Sequence, residues 1–403
     1  MTLPDVAVIG GGIIGTATAA YLAAAGATVR LYEQAGIAAG ASGRNSGVVQ
    51  HPLDPELAAL HAESLVRYRE LEAETDGSFA LPDAPAGLLF LAEDTAAVEA
   101  AARTWRRRHP HLRAEVLDAT EVARLEPALA PGLAACRVDI GYPVAPAVAT
   151  QAFASLAEAR GATIQTVTRA TLEVVGGRAT GVRTGAGVEK AGVVIVAAGP
   201  WSPEIVDPLG RWRPIVPWWG VVVGVQLEHA PGHVLEQLGI ATEPGDGGAP
   251  PGHGPAEGRH GPAGAGHDPD VEFSLVTARR ASSVGSTFLD GEPDAAEWET
   301  RILRAGARFV PGIATARVVG HRACARPLAL DGRPLVGQIP GIANSYIAAG
   351  HGPWGISTGP ASAREIADLV LGRVDAPPIS KAFDPARFGA PGNAGRGPRI
   401  LHA

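Results

Sequence analysis

The chain has 403 residues, 46% of them apolar and 19% charged, enough to bury a large core and form about two domains. A formal charge of -7 argues against a sequence-independent grip on nucleic acid, which normally needs a basic face, and points to small-molecule partners. Two cysteines, Cys136 and Cys324, cannot make a disulfide framework, and no apolar run reaches the roughly 18 residues of a membrane span, so a cytoplasmic protein is expected.

Residues 6 to 33, VAVIGGGIIGTATAAYLAAAGATVRLYE, read as a buried strand, a glycine turn, an alanine-rich helix ended near Gly26, and a second strand. Gly10, Gly12 and Gly15 form G-x-G-x-x-G directly after the first strand. Their missing side chains let a pyrophosphate approach the positive end of the helix. Glu33, 18 residues beyond Gly15, is placed to accept hydrogen bonds from a ribose diol, and its charge disfavours a 2′-phosphate. A βαβ unit alone does not separate FAD from NAD. The next stretch, GIAAGASGRNSGVV at 36 to 49, has the small and hydrogen-bonding residues that let backbone amides come near a ligand.

Leu57, Leu60, Leu65, Tyr68 and Leu71 recur at helical spacing and predict one face packed on a core. The basic run RTWRRRHPHLR, 103 to 113, follows a predicted helix and reads as solvated surface. From 162 to 199 the chain changes to short β-rich runs with glycine turns, a meander returning to the buried strand GVVIVAAG. Residues 271 to 288 alternate like sheet, and 294 to 309 read as helix, so the middle of the chain predicts a second, mostly β domain. Residues 241 to 270 hold nine glycines and six prolines, too little apolar material to order a loop. His253, His260 and His267 recur there every seven residues; the spacing fits no compact ligand set, and no metal is expected.

Together with VVIVAAGPWS at 193 to 202 and the block 322 to 371, these segments resemble the FAD-dependent D-amino-acid oxidase, glycine oxidase and sarcosine oxidase superfamily, over nearly the whole chain. The resemblance implies an α/β (α+β) fold, a Rossmann-like FAD-binding domain joined to a mostly antiparallel β substrate domain. The expected division is 1–50, 141–205 and 321–372 for FAD, 206–320 for substrate, a helical connection at 51–140 and a tail at 373–403. By position, the family's flavin and pyrophosphate loop falls on Ala41, Ser42, Arg44, Asn45 and Gly47. Gly199 falls where a strand end approaches the dinucleotide, or simply ends the strand.

AAGHGPWGISTGPASAREIADLVLG, 348 to 372, is a glycine-rich loop feeding a helix whose first turn is expected to contain Pro360. Free amides at such a helix start stabilise the negative charge that reduction leaves on the N1 and C2 carbonyl edge of a flavin. Gly352, Gly355 and Ile356 are the edge residues this implies. His351 is either a catalytic base or, as the resemblance implies, part of the flavin loop. Arg326 matches the family position that anchors a substrate carboxylate, a task suited to a guanidinium fork; the alternative is an ordinary arginine paired with Asp331 or with backbone carbonyls. Trp218, Trp219 and Phe273 are side-chain pocket candidates or core aromatics.

The resemblance implies oxidation of the C–N bond of a small amino acid or N-methyl amine by hydride transfer to flavin N5. Electrons then pass to oxygen or to a carrier. GRNSGVV is also similar to the loop of 2-hydroxy acid oxidising flavoproteins, and a flavin-binding module without turnover is the remaining alternative. Cys324 stands seven residues before Asp331, the spacing at which sarcosine oxidases attach the flavin 8α-methyl to cysteine. The surrounding RPLALDGRPLVG is more similar to glycine oxidases, which hold FAD without a bond, so a packed thiol is the favoured expectation.

Overall fold

The computed structural model describes residues 5–239, 268, 270–278, 281–373 and 380–391. Two large sheets organise them. The first has the order Leu335–Gln338, Ser345–Ala349, Val193–Val196, Asp5–Ile9, Thr28–Tyr32, Thr163–Gln165, parallel except for the antiparallel pair at its Leu335–Gln338 edge. Its central strands are nearly continuous apolar runs, as a sheet covered on both faces requires. Helices Ile13–Ala24, Val148–Ala159 and Gly355–Val370 pack together on it, and the small buried side chains Ala17, Ala19 and Ala20 let them come close.

The second sheet has the order Arg317–Ala329, Ile215–Gln226, Ala281–Thr287, Val271–Ala278, Val234–Gln237, Leu88–Ala92, Ala134–Val138, Ala114–Leu117. It is antiparallel except where Val234–Gln237 meets Leu88–Ala92. The expected meander is present as Thr171–Val175, Arg178–Thr184 and Gly187–Lys190. Two expectations need correction. The stretch 51–140 is not only a helical connection, because its strands Leu88–Ala92, Ala114–Leu117 and Ala134–Val138 complete the second sheet. Strand Arg317–Ala329 likewise runs into a segment assigned to the flavin side, yet it pairs with Ile215–Gln226 along its length. That pairing sets Trp218 opposite Arg326 and Gly220 opposite Cys324. One irregularity interrupts it, where Gly224 and Val225 face Gly320 and Val318 and leave Val319 unmatched.

Helix Pro55–Glu74 is capped at its start, two residues before the first of the apolar positions read from the sequence. The Asp54 carboxylate accepts from the amides of Glu56 and Leu57, and Pro55 occupies the first helical position. It buries Leu57, Leu60, Tyr68 and Leu71 against Gly355–Val370 and its neighbours. Part of the tail packs on the body of the protein: Phe383 is buried in the first core, and Arg387 pairs with Asp331. The run 103 to 113 is only partly surface, since Trp105 and His109 are buried. His253, His260 and His267, and nearly all of 241–270, lie outside the described residues. No helix among the described residues is long and apolar enough to cross a membrane.

Pro360 sits one turn deeper than expected, inside helix Gly355–Val370, because the helix already begins at Gly355, directly after a short 3-10 turn at Gly352–Trp354. A proline there supplies no amide hydrogen to the carbonyl four residues back, that of Ile356. The buried Tyr68 hydroxyl donates to that carbonyl at 2.6 Å. Tyr68→Phe should therefore leave a buried carbonyl unpaired at a cost of about 1–3 kcal/mol, seen as a lower melting temperature. In a Pro360→Ala background the amide returns, and the cost of Tyr68→Phe should shrink in the double-mutant cycle.

Candidate active site

The two sheets meet around a cavity of about 670 Å³. At one end it is walled by Ile9–Ile14 and Glu33, at the loop by Ala41, Ser42, Arg44 and Asn45, and at the other end by Cys324, Arg326 and His351 to Ser357. Local backbone requirements build the first end. A side chain on Gly10 would overlap the carbonyl of Ala197, and one on Gly15 would overlap the carbonyl of Gly10, so glycine alone permits this approach of helix to strand. Gly15 itself does not line the cavity, and its part is this packing. The Glu33 carboxylate accepts from the amides of Gly11 at 2.7 Å and Ala35 at 2.8 Å. Each oxygen keeps a further lone pair for a hydroxyl.

The loop is fastened to the first helix. Ser42 Oγ accepts from the Ile13 amide at 2.9 Å. Asn45 closes the short helix Ala41–Arg44: its amide nitrogen donates to the Ala41 and Ser42 carbonyls, and its Oδ1 accepts from the Gly47 amide. Gly47 does not line the cavity; its φ of +90° makes the turn that brings the carbonyl of Val144 against it. Gly199, Gly352, Gly355 and Ile356 all line the cavity.

Strand Arg317–Ala329 carries the other end. Arg326 donates to the carbonyl of Thr287 at 2.9 Å and to Ser286 Oγ, and its guanidinium lies 4.7 Å from the centroid of the Phe288 ring. It occupies the space beside Gly220 that a side chain there would fill. Of the two pairings left open by the sequence, the one with Asp331 is not made, since Asp331 binds Arg387 and the Arg333 amide, whereas the one with a backbone carbonyl is made, to Thr287. Among the described residues Arg326 has no carboxylate within ion-pair distance. Burial lowers its pKa, yet a guanidinium stays charged at neutral pH. Burial also pushes the Cys324 thiol up, outweighing Arg326, Arg322 and Arg44, so the thiol stays protonated.

His351 is a poor base. Burial pushes its pKa down to about 3, and its Nε2 lies 2.9 Å from Ser362 Oγ in helix Gly355–Val370. Its buried Nδ1 has no partner among the described residues. Of the three aromatic candidates only Trp219 lines the cavity. Trp218 packs on Phe288, and Phe273 stacks on Phe309 in the second core. Sequence reasoning missed Glu236, Ser274, Ser286 and Phe288, which also line it. They lie on strands or turns whose local patterns signal only sheet.

These residues fit a flavin dinucleotide. An acid with spare lone pairs would suit a ribose diol, a backbone cradle opens at a helix start, and at the opposite end of the cavity a buried imidazole nitrogen has no partner among the described residues. Comparison with known proteins agrees. A sequence model of the DAO family, FAD dependent oxidoreductases, matches residues 5–369. A glycine oxidase of Pseudomonas aeruginosa is 29% identical over 393 residues, covering 94% of this chain and 98% of its own. A D-amino acid dehydrogenase of Cereibacter sphaeroides is 31% identical over 61% of this chain and 51% of its own. The crystal structure of iminodiacetate oxidase from Chelativorans sp. BNC1 superposes with a TM-score of 0.77 at 27% identity, covering 94% of this chain and 99% of that one. The chain belongs to the DAO family of FAD-dependent oxidoreductases.

Proposed function

We propose that the protein oxidises the C–N bond of a small amino acid or N-methyl amine whose carboxylate is held by Arg326. The observation carrying this reading is a buried guanidinium in the wall of the cavity that makes no ion pair among the described residues, with the Glu272 carboxylate acting on it only from beyond ion-pair distance. A charge placed so is costly unless a partner arrives. Two of its donors are fixed by Thr287 and Ser286, which aims the rest of the fork, and Gly220 leaves the room. Glycine oxidase and iminodiacetate oxidase, both similar to this chain, are named for substrates that carry a carboxylate and an amine.

FAD, when bound, supplies the acceptor for the α-hydride and its electron pair. Arg326 orients the substrate, the amine releases its proton, and the resulting imine hydrolyses. With His351 held neutral by burial, positioning does the work and no side-chain base is required. Ala41, Ser42, Arg44 and Asn45 would hold the pyrophosphate side, Glu33 the ribose, and Gly352, Gly355 and Ile356 the ring edge. Oxygen or an electron carrier takes up the electrons. Cys136 and Cys324 are not joined in a disulfide, which suits action in the cytoplasm.

Anaerobic mixing with a panel of amino acids, N-methyl amines and 2-hydroxy acids tests the reading. Bleaching by amines alone is expected; bleaching by hydroxy acids alone would replace it, and bleaching by neither would leave a binding module. A second expectation concerns Cys324. Because the thiol is buried and protonated, acid precipitation should release free FAD to the supernatant from both the unaltered protein and Cys324→Ser. A yellow pellet that Cys324→Ser abolishes would instead assign a covalent link.

A further inference from the structure

Outside the flavin cavity, three imidazoles converge from segments far apart in sequence. His51 follows the strand Val48–Val49, His109 caps helix Thr95–Arg108, and His111 lies in the turn beyond. One nitrogen of each lies within 4.8 Å of the other two. His51 and His109 are buried, and His111 is exposed at the rim.

Hydrogen bonding decides which nitrogens carry lone pairs. Nδ1 of His51 is 2.7 Å from the carbonyl of Pro52, and Nε2 of His109 is 2.8 Å from the carbonyl of Leu53. A carbonyl only accepts, so both of those nitrogens bear the proton, and lone pairs remain on His51 Nε2 and His109 Nδ1. An imidazole whose outer N–H is fixed on a backbone carbonyl is the usual disposition of a metal-ligating histidine. His61, its ring 5.0 Å from that of His51, has a buried Nε2 without a partner among the described residues. Trp105 packs against His51 with ring centroids 6.1 Å apart. Packing alone accounts poorly for the His61 nitrogen beside the cluster, a polar group removed from water.

We propose that His51, His109 and His111 bind one divalent transition-metal ion of the Zn²⁺ type, with water completing the coordination. The set contains no carboxylate, and three imidazoles suit zinc and its neighbours rather than calcium or magnesium. Tetrahedral bonds of about 2.0 Å bring ligand nitrogens to about 3.3 Å of one another, so the group must contract, and the rim position of His111 permits that. The ion is structural. It joins the segment entering helix Pro55–Glu74 to the end of helix Thr95–Arg108, and Gln50, next to His51, lines the flavin cavity and donates its amide to Ser357 Oγ at 2.9 Å.

The test is calorimetric titration of tag-free, chelator-treated holoenzyme with Zn²⁺. The unaltered protein should bind one ion per chain, and its melting temperature should rise with Zn²⁺. His111→Ala removes an exposed ligand outside the cavity, so it should fold and keep its activity while binding Zn²⁺ at least about 100-fold more weakly and losing the thermal shift. A triple variant, His253→Ala, His260→Ala and His267→Ala, should bind as the unaltered protein does. The proposal is overturned if the unaltered protein binds no Zn²⁺, if His111→Ala binds it undiminished, or if the triple variant loses it.

Discussion

Arg326→Leu should lower kcat/KM for the carboxylate-bearing substrate by roughly 30- to 700-fold, corresponding to about 2–4 kcal/mol for a lost charge-assisted pair. The flavin absorption spectrum should hardly change, because the cradle at Gly10 to Ile14 and the loop at Ala41 to Asn45 are built without this residue. Stopped-flow reduction under anaerobic conditions separates the two effects. The apparent substrate constant should rise steeply, and benzoate-like carboxylate ligands should cease to perturb the spectrum. Arg326→Lys should recover only part of the loss, since an ammonium keeps the charge without the fork that Thr287 and Ser286 orient. Unchanged kinetics in Arg326→Leu would reduce the residue to a structural tie between strands.

Gly15→Ala should give a protein that is purified without its yellow colour. The added methyl meets the carbonyl of Gly10, a backbone atom that cannot swing aside, so helix Ile13–Ala24 must move off strand Asp5–Ile9. The amides of the helix start and the Glu33 carboxylate then lose their common register. Affinity for FAD should fall at least about a hundredfold, in line with the large losses that follow backbone strain and overpacking at a close contact. Fluorescence of flavin in the flow-through against the retained protein measures it. A Gly15→Ala protein holding stoichiometric FAD would show that the turn is more yielding than its geometry indicates.

What could be read from the sequence follows the range of the interactions concerned. The Gly10, Gly12, Gly15 pattern and Glu33 were legible because a strand, a tight turn and a helix impose their demands within 30 residues. Helix Pro55–Glu74 was legible from its apolar spacing, but the role of the Tyr68 hydroxyl was not, since its acceptor is 288 residues away. Strand Leu88–Ala92 escaped notice because a five-residue apolar run is compatible with helix or sheet, and its partners Val234–Gln237 and Ala134–Val138 are distant in sequence. Ser286 and Thr287 hold Arg326, yet nothing in ASSVGST distinguishes them from any solvent-facing pair. Trp105 and His109 sit among arginines, and that company masked their burial.

The unmatched Val319 determines where this architecture tolerates a change in chain length. Between 320 and 329 every residue of strand Arg317–Ala329 faces a partner on Ile215–Gln226, and side chains alternate between the two faces of the sheet. Adding or removing one residue there would exchange the faces, turning Arg326 away from the cavity and delivering its neighbours in its place. Val319 opposes nothing and is exposed, so its loss leaves the phase of the remaining strand intact. Related chains are therefore free to gain or lose a residue at this bulge and in the outer turns of the Thr171–Lys190 meander, while the ten positions from 320 to 329, among which the arginine lies, must be conserved in number even where they are not conserved in kind.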